Sequence, residues 1–333
     1  MTKTANLHDE KPTTATADEQ QQKFILNEKL NKILWKLSLP AIVAMVLYGL
    51  NAFLDTVFVG QLIDETALAG VSVAYPLTSI MLGFGSLIGT GAAAILSIAI
   101  GSNDLKKQKQ ILSNSTILSH LTTIIFAIPA YIFADDLIYM MGGRGEIQDI
   151  GVEYLRPTLI GSFFWIYGLG INLIVRGEGK MKEAAFMSSY GLILNIILTP
   201  IFISVFNMGV SGAAWGTNIG MIIYSLVGYL YFARKKGSFE SDINSLKFDS
   251  ATTKAILSAG FPGFIMAVMG LLQAAVVFNA LNSYGSDQDL AIYGAANRIY
   301  IFLMTPLFGL KRALQPVTGI NFGANKLDRV KRS

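Results

Sequence analysis

Charge is what this sequence is short of. Only 14% of its 333 residues are Asp, Glu, Lys or Arg, where a soluble domain carries about 25%. The shortage deepens past the start, because residues 1–32 hold ten of the 48 charged side chains. A soluble fold must wet its outer shell, and so few charges cannot cover one. Cysteine is absent, which excludes a disulfide framework and a thiolate metal site. The two histidines stand alone, His8 in a polar stretch and His120 in an apolar one, so neither reads as a metal ligand. There is no Ser/His/Asp set, no metal cluster and no phosphate loop ending in Gly-Lys-Ser or Gly-Lys-Thr, so no enzyme and no cofactor are expected.

Long hydrophobic runs are what it has: 52% of residues are hydrophobic and the mean hydropathy is +0.49. A spanning helix needs about 20 mostly apolar residues. Segments of that kind fall near residues 34–60, 67–100, 113–134, 150–175, 184–206, 209–233, 255–282 and 290–322. They are continuous rather than alternating, which disfavours a β-barrel. The fold class expected is therefore an all-α polytopic membrane protein. Residues 1–32 lack an apolar h-region and read as a polar, disordered cytoplasmic tail rather than a signal peptide. With that tail inside, the breaks on its side of the membrane hold 21 basic residues and the opposite breaks only Arg144. By the positive-inside rule both ends of the chain are cytoplasmic, as in a multi-pass protein of the cytoplasmic (inner) membrane. The net charge of +4 thus marks topology, not nucleic-acid binding.

The chain also repeats itself. Leu37-Ser-Leu-Pro40 in the first segment parallels Leu257-Ser-Ala-Gly-Phe-Pro262 in the seventh, and Gly101-Ser-Asn-Asp ends the second as Gly323-Ala-Asn-Lys ends the eighth. Pro40 to Pro262 and Gly101 to Gly323 are both offset by 222 residues, and both copies start inside, which indicates a parallel repeat. The organisation expected is a six-helix amino-terminal lobe over 33–235, a cytoplasmic linker over 236–254, and the first two helices of a pseudo-symmetric second lobe over 255–333.

Asp55 is the one carboxylate well inside a span of the first lobe. Intramembrane charges are costly and usually face a cavity. Desolvation disfavours the charged form of a carboxyl, which makes Asp55 a candidate proton carrier. Tyr48 and Asn51 share its helical face at i, i+3 and i+7. Gly212, Gly216 and Gly220 form a small-residue stripe suited to close helix packing. Lys311 and Arg312 sit about 18 Å from the inner end of the last span at 1.5 Å per residue. They read either as a cationic cavity wall or as snorkelling side chains.

Several stretches together resemble the MATE (multidrug and toxic compound extrusion) transporters, in the wider group that also holds lipid-linked saccharide flippases. These are Pro40 followed by Asp55-Thr-Val-Phe-Val-Gly60, Ala67-Leu-Ala-Gly, Arg176-Gly-Glu-Gly-Lys180, Asn195-Ile-Ile-Leu-Thr-Pro, Gly209-Val-Ser-Gly-Ala-Ala-Trp-Gly-Thr217 and Gln315-Pro-Val-Thr-Gly-Ile-Asn321. The resemblance implies twelve helices in two lobes, so the chain looks like one cut after the eighth. It implies efflux of drugs and small amphipathic, cationic molecules by antiport against H+ or Na+, by a monomer if complete. It carries an ion-coupling role to Asp55, Asn195, Thr199 and Thr217, and Tyr48, Asn51 and Met221 are candidates for the substrate cavity. Thr199 departs from the family, which often has Asp there. Losing a second carboxylate favours H+, although Na+ stays possible at the same residues. Two alternatives stand beside this reading, a lipid-linked saccharide flippase and a truncated fragment that transports nothing.

Overall fold

A computed structural model describes residues 17–239 and 246–333, which form twelve α-helices and no strand. In chain order they are α1 (Ala17–Asn27), α2 (Leu30–Leu62), α3 (Glu65–Gly101), α4 (Leu105–Ile132), α5 (Ala134–Met140), α6 (Gly145–Ile160), α7 (Ser162–Gly177), α8 (Met181–Ser204), α9 (Gly209–Ala233), α10 (Ser250–Tyr284), α11 (Asp287–Gly323) and α12 (Leu327–Arg332). Among the described residues seven are long and apolar enough to cross a membrane, and α6 and α7 pass the same test as a pair bent by 57°. The single span expected near 150–175 is thus broken. Pro157 cannot donate to the Glu153 carbonyl, and that carbonyl accepts from the Ser211 hydroxyl at 3.3 Å. The Pro157 carbonyl accepts from Asn218 Nδ2 at 2.7 Å. Side chains of α9 therefore satisfy backbone groups that the bend releases, as an apolar interior requires.

The disordered tail expected over 1–32 does not hold past residue 16. α1 is helical from Ala17 and α2 starts at Leu30, while residues 1–16 lie outside the described residues. The run Phe24-Ile25-Leu26 gives α1 an apolar side, and Ile25 is fully buried. Its polar side chains reach helix ends: Gln22 Nε2 donates to the Ile100 carbonyl at 2.9 Å and Gln21 Nε2 to that of Gly179 at 3.1 Å. Arg329 donates to the carbonyls of Ile25 and Glu28. The linker expected over 236–254 lies partly outside the described residues, at 240–245. Its near end is held by Glu178, which accepts from the Ser238 backbone N–H and hydroxyl. Its far end runs into Asp249, the N-cap of α10, which accepts from Thr252 N–H at 2.7 Å.

The internal repeat has a physical counterpart. A Cβ on Gly101 would lie 2.9 Å from the Ala324 nitrogen, and one on Gly323 would lie 3.0 Å from the Ser102 nitrogen. Those two contacts exchange under the 222-residue offset, as expected for pseudo-twofold partners. α3 and α11 therefore meet at glycines on the axis, while α10 packs on α3 and α11 packs on α2. Close approach of this kind is what small residues allow between membrane helices.

Candidate functional site

Three helices bring the first group of polar residues together. A side chain at Gly216 on α9 would collide with Thr199 on α8, 2.6 Å from its hydroxyl and 3.0 Å from its Cα. The glycine thus lets α8 and α9 approach closely enough for their polar side chains to bond. Asn195 Nδ2 donates to the hydroxyls of Thr217 at 2.9 Å and Thr199 at 3.2 Å, and its Oδ1 accepts from Asn51 Nδ2 on α2. The Thr217 hydroxyl itself donates to the Ala213 carbonyl at 3.0 Å. All four of these side chains are buried.

One turn beyond Asn51, Asp55 enters a small cavity of about 30 Å³ that Tyr48, Asn51, Thr217, Met221 and Arg298 also line. That volume has room for about two waters, enough for a proton relay or a small ion and too little for an organic molecule. The Asp55 Oδ1 atom is buried and has no hydrogen-bond partner among the described residues. Arg298 on α11 is the cation whose charge acts on it. The guanidinium is held in place by donation from Nη1 to the Thr56 hydroxyl at 2.5 Å and by the Tyr75 ring, 4.7 Å from its centroid. No group of three or more His, Asp or Glu side chains that could hold a metal occurs among the described residues.

A second cavity of about 620 Å³ lies next to the first, and Tyr48, Trp165 and Met221 line both. Its size falls in the range of pockets that bury drug-sized ligands. α2 gives it Met45, α9 gives it Tyr224, and α11 a face of Ile301, Thr305, Phe308, Arg312 and Gln315. Those α11 positions recur every three or four residues, so they fall on one stripe, with Lys311 at its edge.

Five of the seven residues expected from sequence line these spaces, and a sixth bonds to their walls. Asp55, Asn51 and Thr217 line the small one, Tyr48 and Met221 line both, and Asn195 bonds to two of the lining side chains. Thr199 stands behind Asn195, fully buried. Lys311 and Arg312 both line the large cavity. Arg298 was readable from sequence by the rule that singles out Asp55, a lone charge inside an apolar run. Arg176 gave no such signal. Within Arg176-Gly-Glu-Gly-Lys180 it reads as a loop residue, yet it occupies the last turn of α7, is buried, and lines the large cavity.

The chain is 28% identical over 311 residues to the multidrug export protein MepA of Staphylococcus haemolyticus (strain JCSC1435), covering 92% of this chain and 68% of that protein. MepA of Staphylococcus aureus (strain MRSA252) is likewise 28% identical over 314 residues, with the same coverage. Among solved structures it is similar to the MATE multidrug transporter DinF-BH in complex with a dye. There the TM-score is 0.87 and the identity 28%, over 92% of this chain and 69% of that one. It is also similar to the outward-facing conformation of a multidrug resistance MATE family transporter of the MOP superfamily, with a TM-score of 0.83 and 26% identity over 96% of this chain and 70% of that one. The MatE family model matches residues 40–201 and 262–333. With well over half of its length inside that match, this multi-pass membrane chain belongs to the MatE family.

Proposed function

We propose that this chain carries out multidrug efflux, moving small organic molecules through the 620 Å³ cavity by antiport with protons that enter on Asp55. The observation that carries this reading is the pairing of a drug-sized cavity with an ion-sized one across a shared wall of Tyr48, Trp165 and Met221. Protonation removes the charge of Asp55 and its attraction to Arg298, and α2 and α11 then have reason to repack. Since Tyr48 lies two turns before Asp55 on α2, such repacking reshapes the wall of the large cavity. Cargo that binds only the deprotonated arrangement then competes with the proton, which is the requirement for antiport. The Asn51–Asn195–Thr217 hydrogen bonds link α2 to α8 and α9, so the same event reaches the other helices of the lobe.

The proton is preferred to sodium because a sodium ion wants several hard oxygen ligands and compensating charge. Among the described residues Asp55 is the sole carboxylate lining the small cavity, with Arg298 as a competing cation, and Thr199 offers a hydroxyl behind Asn195. The distribution of basic breaks supports a cytoplasmic membrane location with both chain ends inside. The pseudo-twofold contacts support two lobes, over 33–235 and 255–333.

Efflux from proteoliposomes tests the mechanism. An imposed pH gradient should drive dye movement by the wild type, and a sodium gradient alone should not. Asp55→Asn should abolish the pH-driven component; wild-type rates in that variant would sink the mechanism.

A further inference from the structure

The large cavity is charged, and with one sign. Arg176, Lys311 and Arg312 line it, and no carboxylate does among the described residues. None of the three has a carboxylate partner among those residues. Arg176 is 4% exposed. Its Nε donates to Asn172 Oδ1 at 2.8 Å, while its Nη1 is buried with no hydrogen-bond partner. Asn172 is itself fixed by donation to the Ala184 carbonyl at 2.7 Å, so the guanidinium is aimed by a two-step support. A buried guanidinium with an unused donor is costly, and arginine's fork is suited to carboxylate, phosphate and sulfonate oxygens. Around these cations the wall is apolar and aromatic, with Trp165, Met266 and Phe308 among the lining residues.

The geometry points to a cargo site for amphiphiles that carry an anionic group: Arg176, Lys311 and Arg312 hold the oxyanion, and the apolar wall takes the hydrophobic body. This rests on the export reading above and narrows its cargo, away from the cationic molecules that the family resemblance implies. A cation in this cavity would meet three like charges. Lys311 and Arg312 are consecutive on a helix and point about 100° apart, so they suit different oxygens of one group or the two sides of its path. Carboxylate, sulfonate and phosphate share the required chemistry, and the phosphate could belong to a lipid headgroup or to a free molecule.

Binding measured without any gradient separates this inference from the transport mechanism. The purified chain in phosphatidylcholine nanodiscs is titrated against sulforhodamine B, whose sulfonates stay ionised, and rhodamine 6G, a cation on the same ring system, with fluorescence anisotropy as readout. Sulforhodamine B should bind more tightly. Lys311→Gln and Arg312→Gln should each weaken it about tenfold, as expected for losing a charged hydrogen bond, and should leave rhodamine 6G unweakened. Arg176→Gln should do the same and Arg176→Lys should recover part of the loss; Lys311, being exposed, gives a variant that folds even if Arg176 does not tolerate change. Replacing part of the phosphatidylcholine with phosphatidylglycerol distinguishes the sources: competition with the dye assigns the site to an anionic headgroup, and unchanged binding assigns it to free amphiphiles. Tighter binding of rhodamine 6G, or sulforhodamine binding that ignores both Lys311→Gln and Arg312→Gln, would overturn the proposal. Anion binding without transport would instead count against the export reading alone.

Discussion

Asp55 and Asn195 differ in how much of their role a residue-by-residue reading can reach. A lone carboxylate in an apolar run is conspicuous, because its desolvation needs a reason. An asparagine in the same setting has a second explanation, an ordinary hydrogen bond between helices worth about 0.6 kcal/mol on average. Its contacts make that bond concrete, with Thr217, Thr199 and Asn51 all on one amide. The two explanations part when Asn195 is replaced. Asn195→Ala should lower stability by no more than about 2 kcal/mol, read as a modest fall in melting temperature. Efflux driven by a pH gradient should fall by about tenfold, the scale of a typical coupling free energy. Loss of stability with efflux intact would leave Asn195 a packing residue only. Arg176 was beyond sequence reasoning for a different cause. Its role depends on where α7 ends relative to the cavity, and the glycines that follow it hide that end.

At the scale of helices, hydrophobic length located nearly every span, since an apolar interior forces backbone groups into helical bonds whatever the details. Two features escaped it. The bend between α6 and α7 depends on Pro157 together with partners on a distant helix, Ser211 and Asn218, and a single segment's composition carries no sign of them. α1 depends on three apolar residues in a polar stretch packing inward while Gln21 and Gln22 bond to the ends of α7 and α3. The small-residue stripe on α9 was legible, and its consequence is quantitative. Gly216→Val should destabilise the protein by about 1–3 kcal/mol, the usual cost of overpacking, because the added carbons meet Thr199. Gly270→Val, on α10, serves as the control: a Cβ there meets nothing within 4 Å. Melting curves in detergent followed by circular dichroism should show a drop for the first and none for the second.

For the whole molecule, the 222-residue offset was the strongest statement in the sequence, and it reappears as reciprocal contacts at Gly101 and Gly323. What the offset could not reveal is that two cavities of unequal size are lined by residues of both copies. The larger draws its walls from both copies of the repeat, and the smaller pairs Asp55 of the first copy with Arg298 of the second. On the proposed mechanism, coupling between a proton and a cargo belongs to the interface between copies, with the shared wall of Tyr48, Trp165 and Met221 as the place where one site senses the other. The direct measurement is dye-driven proton movement in proteoliposomes carrying an internal pH probe, with a gradient of a transported dye imposed outward and no pH gradient at the start. As the dye leaves, the wild type should acidify the lumen, and Asp55→Asn should show no acidification. Acidification that persists in Asp55→Asn, or dye exit from the wild type with no proton entry, would contradict the account.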